Sequence, residues 1–468
     1  MNDAEERKVI RQEADHMKME RAIHRHKRRV RNQIIVYLVI GIFFATLVAL
    51  AYIGGTRLVS VISERRVASE KAKEAEAAEI SAQEEEVPEI IIPEKEEETV
   101  QEEEEPLIFT PQTEEPEVAE SDDELMDQMI DEVISGMTLK EKVAGLFITT
   151  PEQFTGVDAA IKAGDGTKSA LENTTIGGLI YSQKNIKTRD QIAEMLSKTE
   201  DLSKYPLFLG ISELGADRGD LTNALQLEQV PSPAELAESG DVDAAYEAGQ
   251  TIAKRMVDVG FQMNLGPYVD LTTIAMSDKE RQLSYGSDPS SAALVAASEI
   301  RGMEENGIHT SAHLFPSSVD QTSDGNIPST GITKDEFAQT DALMFQAAFG
   351  AGTKIVVVGN MAAPLIVGDK TPCTMSSVVM QDMLRGELGF DGIIMTEAMN
   401  TQAITDYYTP DQAAVAALKA GADMICCPED LEKAIDGVLD AVNSGELSEA
   451  QIEESLKRIY RVKYAYRF

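Results

Sequence analysis

The chain has 468 residues, 81 acidic side chains against 42 basic ones, a net charge of −39 and 43% hydrophobic residues. Such a polyanion does not bind nucleic acid through phosphates, which need lysine and arginine to displace their counterions. Three cysteines, Cys373 and the adjacent Cys426 and Cys427, exclude a disulfide framework or a zinc ribbon and read as buried small hydrophobes.

Residues 1–33 carry ten Lys and Arg against six acids and include the basic run Arg25–Arg31. Ile34–Ile53 then runs 20 residues without a charge, which at 1.5 Å per residue matches a ~30 Å hydrocarbon core. Residues 34–55 therefore read as a single transmembrane helix in contact with the lipid bilayer. Only Arg57, Arg65 and Arg66 follow closely, and this bias puts residues 1–33 in the cytoplasm as a basic tail. A 33-residue segment ahead of so long a run favours an uncleaved anchor over a signal peptide. The expected location is the cell membrane, crossed once, with the remaining chain extracytoplasmic.

Residues 56–121 read as an acidic linker. Between residues 70 and 124 there are 23 Asp and Glu against Lys71, Lys73 and Lys95, in blocks such as EEEE at 102–105. This composition buries too little apolar surface to offset its ordering entropy, and like charges extend it. The linker is expected to be disordered and to hold the distal domain off the membrane.

Residues 122–468 have ordinary composition and alternate short apolar runs with amphipathic stretches, the pattern of βα units around a parallel sheet. Eight strands are expected at Leu146–Thr149, Ile176–Tyr181, Leu207–Ile211, Gln262–Val269, His309–Phe315, Lys354–Val358, Gly392–Thr396 and Asp423–Cys427. Helical periodicity covers Val242–Val259, Ser290–Asn306, Lys334–Phe349 and Ser376–Leu388, with Gly260, Gly307, Gly350 and Gly389 where helix ends call for glycine. Thr138 with Glu141 and Ser448 with Gln451 have capping-box spacing. Eight parallel strands in this length suit an α/β fold of the (β/α)8 TIM-like barrel type, whose chemistry sits at the C-terminal strand ends. The polar residues there are Ser212, Glu213, Asn264, Asp270, His313, Asp320, Asp324, Asn360 and Glu397. No phosphate-binding glycine loop, HExxH or GxSxG elbow occurs, so neither cofactor nor metal is expected. The RGD at Arg218–Asp220 is read as coincidence.

Six blocks, residues 137–148, 206–212, 264–271, 284–289, 384–404 and 418–430, resemble in order the N-terminal barrel of glycoside hydrolase family 3. The likeness is nearest its single-domain β-N-acetylglucosaminidases. It implies a retaining glycosidase with a carboxylate nucleophile at one strand end and an Asp-His acid/base pair on a loop, acting on an N-acetylglucosamine-containing glycan. The nucleophile aspartate of the family falls on Glu397, one methylene longer, and a 1 Å misplacement lowers a rate by ~100-fold. The lysine and histidine sugar contacts fall on His313 and Leu314. The acid/base D-S-H falls on Asp324, Gly325 and Asn326, an amide that donates no catalytic proton.

The resemblance assigns catalysis to Glu397 with Asp324 or His313, and sugar binding to Asp270, Asn264, Arg281, Ser212 and Asn326. Arg281 lies two residues before Leu283, where the family has an arginine. Two functional readings follow. One is a membrane-anchored glycosidase hydrolysing β-N-acetylglucosaminides of an envelope glycan or muropeptide. The other is an inactive descendant serving as a carbohydrate-binding or envelope interaction module.

Overall fold

The computed structural model describes residues 122–273, 276–316 and 327–465. The basic tail, the apolar run 34–55 and the linker 56–121 lie outside these residues, as do Asp320, Asp324 and Asn326. No helix among the described residues is long and apolar enough to cross a membrane.

All eight expected strands form, several of them shorter than expected: β1 Phe147–Thr149, β2 Gly178–Ile180, β3 Phe208–Ile211, β4 Met263–Asn264, β5 His309–Phe315, β6 Ile355–Val358, β7 Ile393–Thr396 and β8 Ile425–Cys426. Consecutive strands pair in parallel from β1 to β7, β8 pairs with β1, and a parallel bridge between Met395 and Met424 joins β7 to β8. The sheet is thereby a near-closed α/β barrel. Every strand residue except Ile180 and Leu314 is buried, as expected for parallel strands covered on both faces. That double burial is why sequences such as IVVV and IIMT show continuous apolar runs rather than alternation.

β4 is shorter than its apolar run because Pro267 has no N–H to donate to a ladder; pairing resumes in a single bridge between Tyr268 and His313.

Among the described residues, the α-helices of ten or more residues are α1 Asp122–Ser135, α2 Arg189–Leu202, α3 Val242–Val257, α4 Pro289–Glu304, α5 Asp341–Gly350, α6 Pro410–Ala420, α7 Leu431–Ser444 and α8 Glu449–Tyr464. α3 and α4 approach closely through glycines: a Cβ on Gly249 would meet Glu299 O at 2.0 Å, and one on Gly302 would meet Tyr246 O at 2.2 Å. The stretch 334–349 is not one helix. Thr340 leaves helical geometry at φ −126°, ψ −90°, its hydroxyl bonding Glu336 O at 2.7 Å and Asp341 Oδ2 at 2.8 Å. Such local side-chain bonds compete with the helix. Residues Val378–Glu387 wind as a π-helix, which shares an apolar face with an α-helix and so is not told apart by periodicity. Gly260, Gly307 and Gly389 take positive φ, whereas Gly350 ends α5 and Gly352 makes the left-handed turn. The Thr138 capping box forms in full; Ser448 caps Gln451 N without the reciprocal bond.

At the N-terminal end of the strands, charges are paired. Asp423, just before β8, accepts from Arg385 Nη2 at 2.6 Å, Arg458 Nη1 at 2.9 Å, Ser455 Oγ at 2.9 Å and Ile394 N at 2.9 Å. Buried Glu304 accepts from Thr310 N at 2.7 Å. Lys142 bridges Glu449 at 2.7 Å and Glu453 at 2.5 Å, tying the short helix before β1 to α8.

Candidate active site at the C-terminal strand ends

Glu397 follows β7 directly and is half-buried. Its backbone N–H donates to Val358 O at 2.8 Å, and its Oε2 accepts from Asn360 N at 2.7 Å. Asn360 is itself fixed from three sides. Its Nδ2 donates to Ala398 O at 2.8 Å and to Thr401 Oγ1 at 3.1 Å, and its Oδ1 accepts from Thr374 Oγ1 at 3.0 Å. The turn after β6 thus orients the carboxylate that ends β7. Burial raises the Glu397 carboxyl above its ordinary range, and the Asn360 N–H opposes that shift.

His313, on β5, is buried. Its Nε2 lies 3.1 Å from Ser311 Oγ, and its ring packs on Tyr268 with centroids 4.9 Å apart. Burial pushes the imidazole down to about 3, so near neutral pH it is uncharged and has no acidic proton to give. Asp270 is buried behind it, accepting from Leu314 N at 3.4 Å, and is pushed up to about 8 by burial and by the charge of Asp341.

Asn264 sits below the mouth and is fully enclosed. Its Oδ1 accepts from Glu213 N at 2.9 Å and its Nδ2 donates to Glu213 O at 2.8 Å, so both ends of the amide clamp protein backbone. Glu213 in turn accepts from Leu221 N at 3.0 Å and Thr222 N at 3.3 Å. Gly219 permits this fold-back, since a Cβ there would meet Glu213 Oε1 at 2.3 Å. Ser212 is half-buried at the end of β3, its carbonyl accepting from Asp220 N at 2.9 Å. Arg281 ends a one-turn helix and donates from Nε to Met276 O at 3.1 Å.

The structure brings Glu397, Asn360, Tyr268, His313 and Asp270 together across β4 to β7, and keeps Asn264 beneath them. Two residues emerge that sequence reading passed over. Tyr268 is held above its ordinary range by burial and by the charges of Asp270 and Glu397, with Arg218 opposing. Arg218 also acts on Asp220 and Glu280, so the supposed chance tripeptide contributes an exposed cation to this rim. Only the position of Tyr268 in the block 264–271 offered a signal for it.

Among the described residues no group of three or more His, Cys, Asp or Glu could hold a metal. A surface groove of about 1000 Å³ lies between α6 and α7 and is lined by residues such as Tyr407, Gln412 and Lys419, without Glu397. Strand-end geometry rather than volume therefore locates the site.

The family model of the glycosyl hydrolase family 3 N-terminal domain matches residues 138–462. Beta-hexosaminidase A of Pseudoalteromonas piscicida is 23% identical over 322 residues, covering 62% of this chain and 53% of that protein. The chain thus spans about half the length of that relative. A beta-hexosaminidase of Idiomarina loihiensis is 28% identical over 282 residues, covering 58% of this chain and 82% of its own. The solved glycoside hydrolase family 3 β-N-acetylglucosaminidase of Paenibacillus sp. str. FPU-7 superposes with a TM-score of 0.64 and 26% identity, covering 71% of this chain and 64% of that one. With its barrel, its strand-end carboxylate and a match over most of its length, this chain belongs to glycosyl hydrolase family 3.

Proposed function

We propose that the barrel is a retaining glycosidase acting on β-N-acetylhexosaminides, with Glu397 as nucleophile. The observation that carries this reading is the carboxylate at the end of β7, half-buried and oriented by the Asn360 N–H. A retaining site needs a second proton-donating group about 5 Å from the nucleophile. His313 is neutral and already bonded to Ser311, so the role passes to Asp324 on the loop after β5. Asp324 and Asn326 lie outside the described residues. Tyr268 and Arg218 supply the polar contacts that the family places on a lysine and a histidine. The N-acetylated sugar is inferred from the hexosaminidases this chain is similar to.

The run 34–55 serves as a membrane anchor, with residues 1–33 cytoplasmic and the acidic segment 56–121 as spacer to an extracytoplasmic barrel. Retention of the full chain in membranes after an alkaline wash, with the barrel cut by protease added to intact cells, is the expected behaviour. Release by the wash contradicts the anchor.

A second reading, a carbohydrate-binding barrel without catalysis, is favoured by one observation: Asn264 and His313 spend their polar atoms on protein partners. Hydrolysis of an aryl β-N-acetylglucosaminide separates the two. The glycosidase reading expects turnover by the native chain and background rate for Glu397→Gln; equal rates overturn it. Two inert proteins whose melting temperature still rises with a muropeptide establish the binding module, since a ligand selective for the native state stabilises it.

A further inference from the structure

On a chain of net charge −39, one cavity gathers cations. It measures about 440 Å³, within the ~300–1,000 Å³ of small-molecule sites, and opens at the N-terminal end of the strands, the far end of the barrel from Glu397. Five lining side chains are basic: Lys354 just before β6, Arg385 on the π-helix, and Lys457, Arg458 and Arg461 on α8. Two are acidic, Asp391 and Glu454.

Asp423 lies behind Arg385 and Arg458 and accepts from both, but a single carboxylate does not neutralise two guanidinium groups. Burial lowers the Arg385 guanidinium below its ordinary range, Asp423 raises it, and the charge of Arg458 lowers it again. Arg385 is fixed in place, its Nη1 donating to Phe390 O at 2.7 Å and to Gly392 O at 2.6 Å. Arg458 gives Nη1 to Asp423 at 2.9 Å and, 35% exposed, has further N–H groups for a guest in the cavity.

The other three cations have partners that are easily given up. Lys354 stands 3.8 Å from Asp391, whose carboxylate is 86% exposed, and Lys457 and Arg461 pair outward with Asp131 and Asp127 of α1. Exposed pairs of this kind contribute little, so these long side chains can turn to an anion. Counting Asp423, five cations face three carboxylates, a surplus of two. Only the exposed aspartates of α1 would bring the count level, and they do not line the cavity.

We propose that this cavity binds a phosphoryl dianion, either inorganic phosphate or a phosphate monoester, with Arg458 and the ends of Lys354, Lys457 and Arg461 closing on its oxygens. Such a group carries about −1.5 to −2 near neutral pH, which matches the surplus. Its oxygens suit guanidinium forks, which bind them in pairs. The site is separate from the proposed hydrolysis and stands or falls without it.

Isothermal titration of the native full chain with inorganic phosphate, at ionic strength held constant with sodium chloride, tests this. One phosphate per chain is expected, bound more weakly when the salt is raised. Lys354→Gln combined with Arg461→Gln leaves Asp423 and its two arginines intact and should raise the Kd about tenfold, the sum of two exposed charge contacts. Asp391→Asn removes a competing carboxylate and should lower the Kd about threefold. This second variant carries the test if the first does not fold. Glycerol 3-phosphate binding more tightly than phosphate would assign the site to esters, and equal or weaker binding would assign it to free phosphate. No saturable binding, a Kd that either folded variant leaves unchanged, or succinate bound as tightly as phosphate would overturn the proposal.

Discussion

The two ends of the barrel treat buried charge in opposite ways. At the N-terminal end, Asp423 receives four donors, two of them arginines, and Lys142 meets two glutamates. At the C-terminal end, Glu397 has one backbone donor, Asp270 has one long contact and faces Asp341, and His313 is held neutral. Charge without full compensation costs stability, and perturbed, under-compensated titratable groups cluster at functional sites. The lower end stabilises the barrel; the upper end holds the carboxylates on which the proposed glycosidase reading rests.

The largest effect is expected below. Asp423→Ala leaves Arg385 and Arg458 without their acceptor and frees Ile394 N. Breaking a buried pair costs about 3–5 kcal/mol, and the low end applies because Arg458 is 35% exposed. Urea unfolding should show a lower midpoint at unchanged slope. A loss below about 0.5 kcal/mol, the scale of a surface site, would erase the contrast between the ends.

Asp270→Asn should act in the other direction and depend on pH. The folded carboxyl titrates at about 8 and the unfolded one at 3.8, so between those values the native state holds a proton that the unfolded state has lost. Native stability therefore falls as pH rises from about 4 to 8 and then levels, by at most ~1.4 kcal/mol per unit. Asn keeps an oxygen for Leu314 N but does not titrate. Its melting temperature relative to the native chain should climb across that window; a constant difference would show that Asp270 is ionised throughout.

Thr138→Ala removes two hydroxyl bonds ahead of β1, one accepted from Glu141 N at 3.3 Å and one donated to Glu141 Oε2 at 3.0 Å, whereas Ser448→Ala removes one bond at the start of α8. The first should cost about 1 kcal/mol and the second less, by chemical denaturation. Equal costs would mean that the bond from the Thr138 hydroxyl to Glu141 Oε2 adds nothing.

Smallest is the stability change of Glu397→Gln. Because burial raises this carboxyl, its ionisation weakens the fold as pH passes upward through the folded value, and glutamine removes that loss. A small rise in the urea-unfolding midpoint is expected at alkaline pH, since the Asn360 N–H already offsets part of the burial. A marked loss would make Glu397 a structural residue like Asp423.

How much of this was legible beforehand follows the range of the forces involved. The eight strands were readable because burial on both faces leaves an apolar run that needs no partner to recognise. β4 was overextended because the effect of Pro267 on the ladder depends on which strand lies beside it. The break at Thr340 depends on a hydroxyl choosing between helix and side chain, which periodicity does not report. Glu397 was found through its block, but the Asn360 bond that aims it joins residues 37 apart. The ionisation of His313 and Asp270 comes from enclosure by other strands and was invisible in the sequence. The cysteine pair read correctly as buried, while the left-handed backbone at Cys427 has no sequence signature.

The central claim is that Glu397 faces the anomeric carbon of a bound sugar. A 5-fluoro-N-acetylglucosaminyl fluoride, which forms a glycosyl ester with a retaining nucleophile and leaves it slowly, tests this on the intact protein by peptide mass. A single sugar attached at Glu397, absent from Glu397→Gln, is the predicted result; attachment at another carboxylate, or none at all, would contradict it.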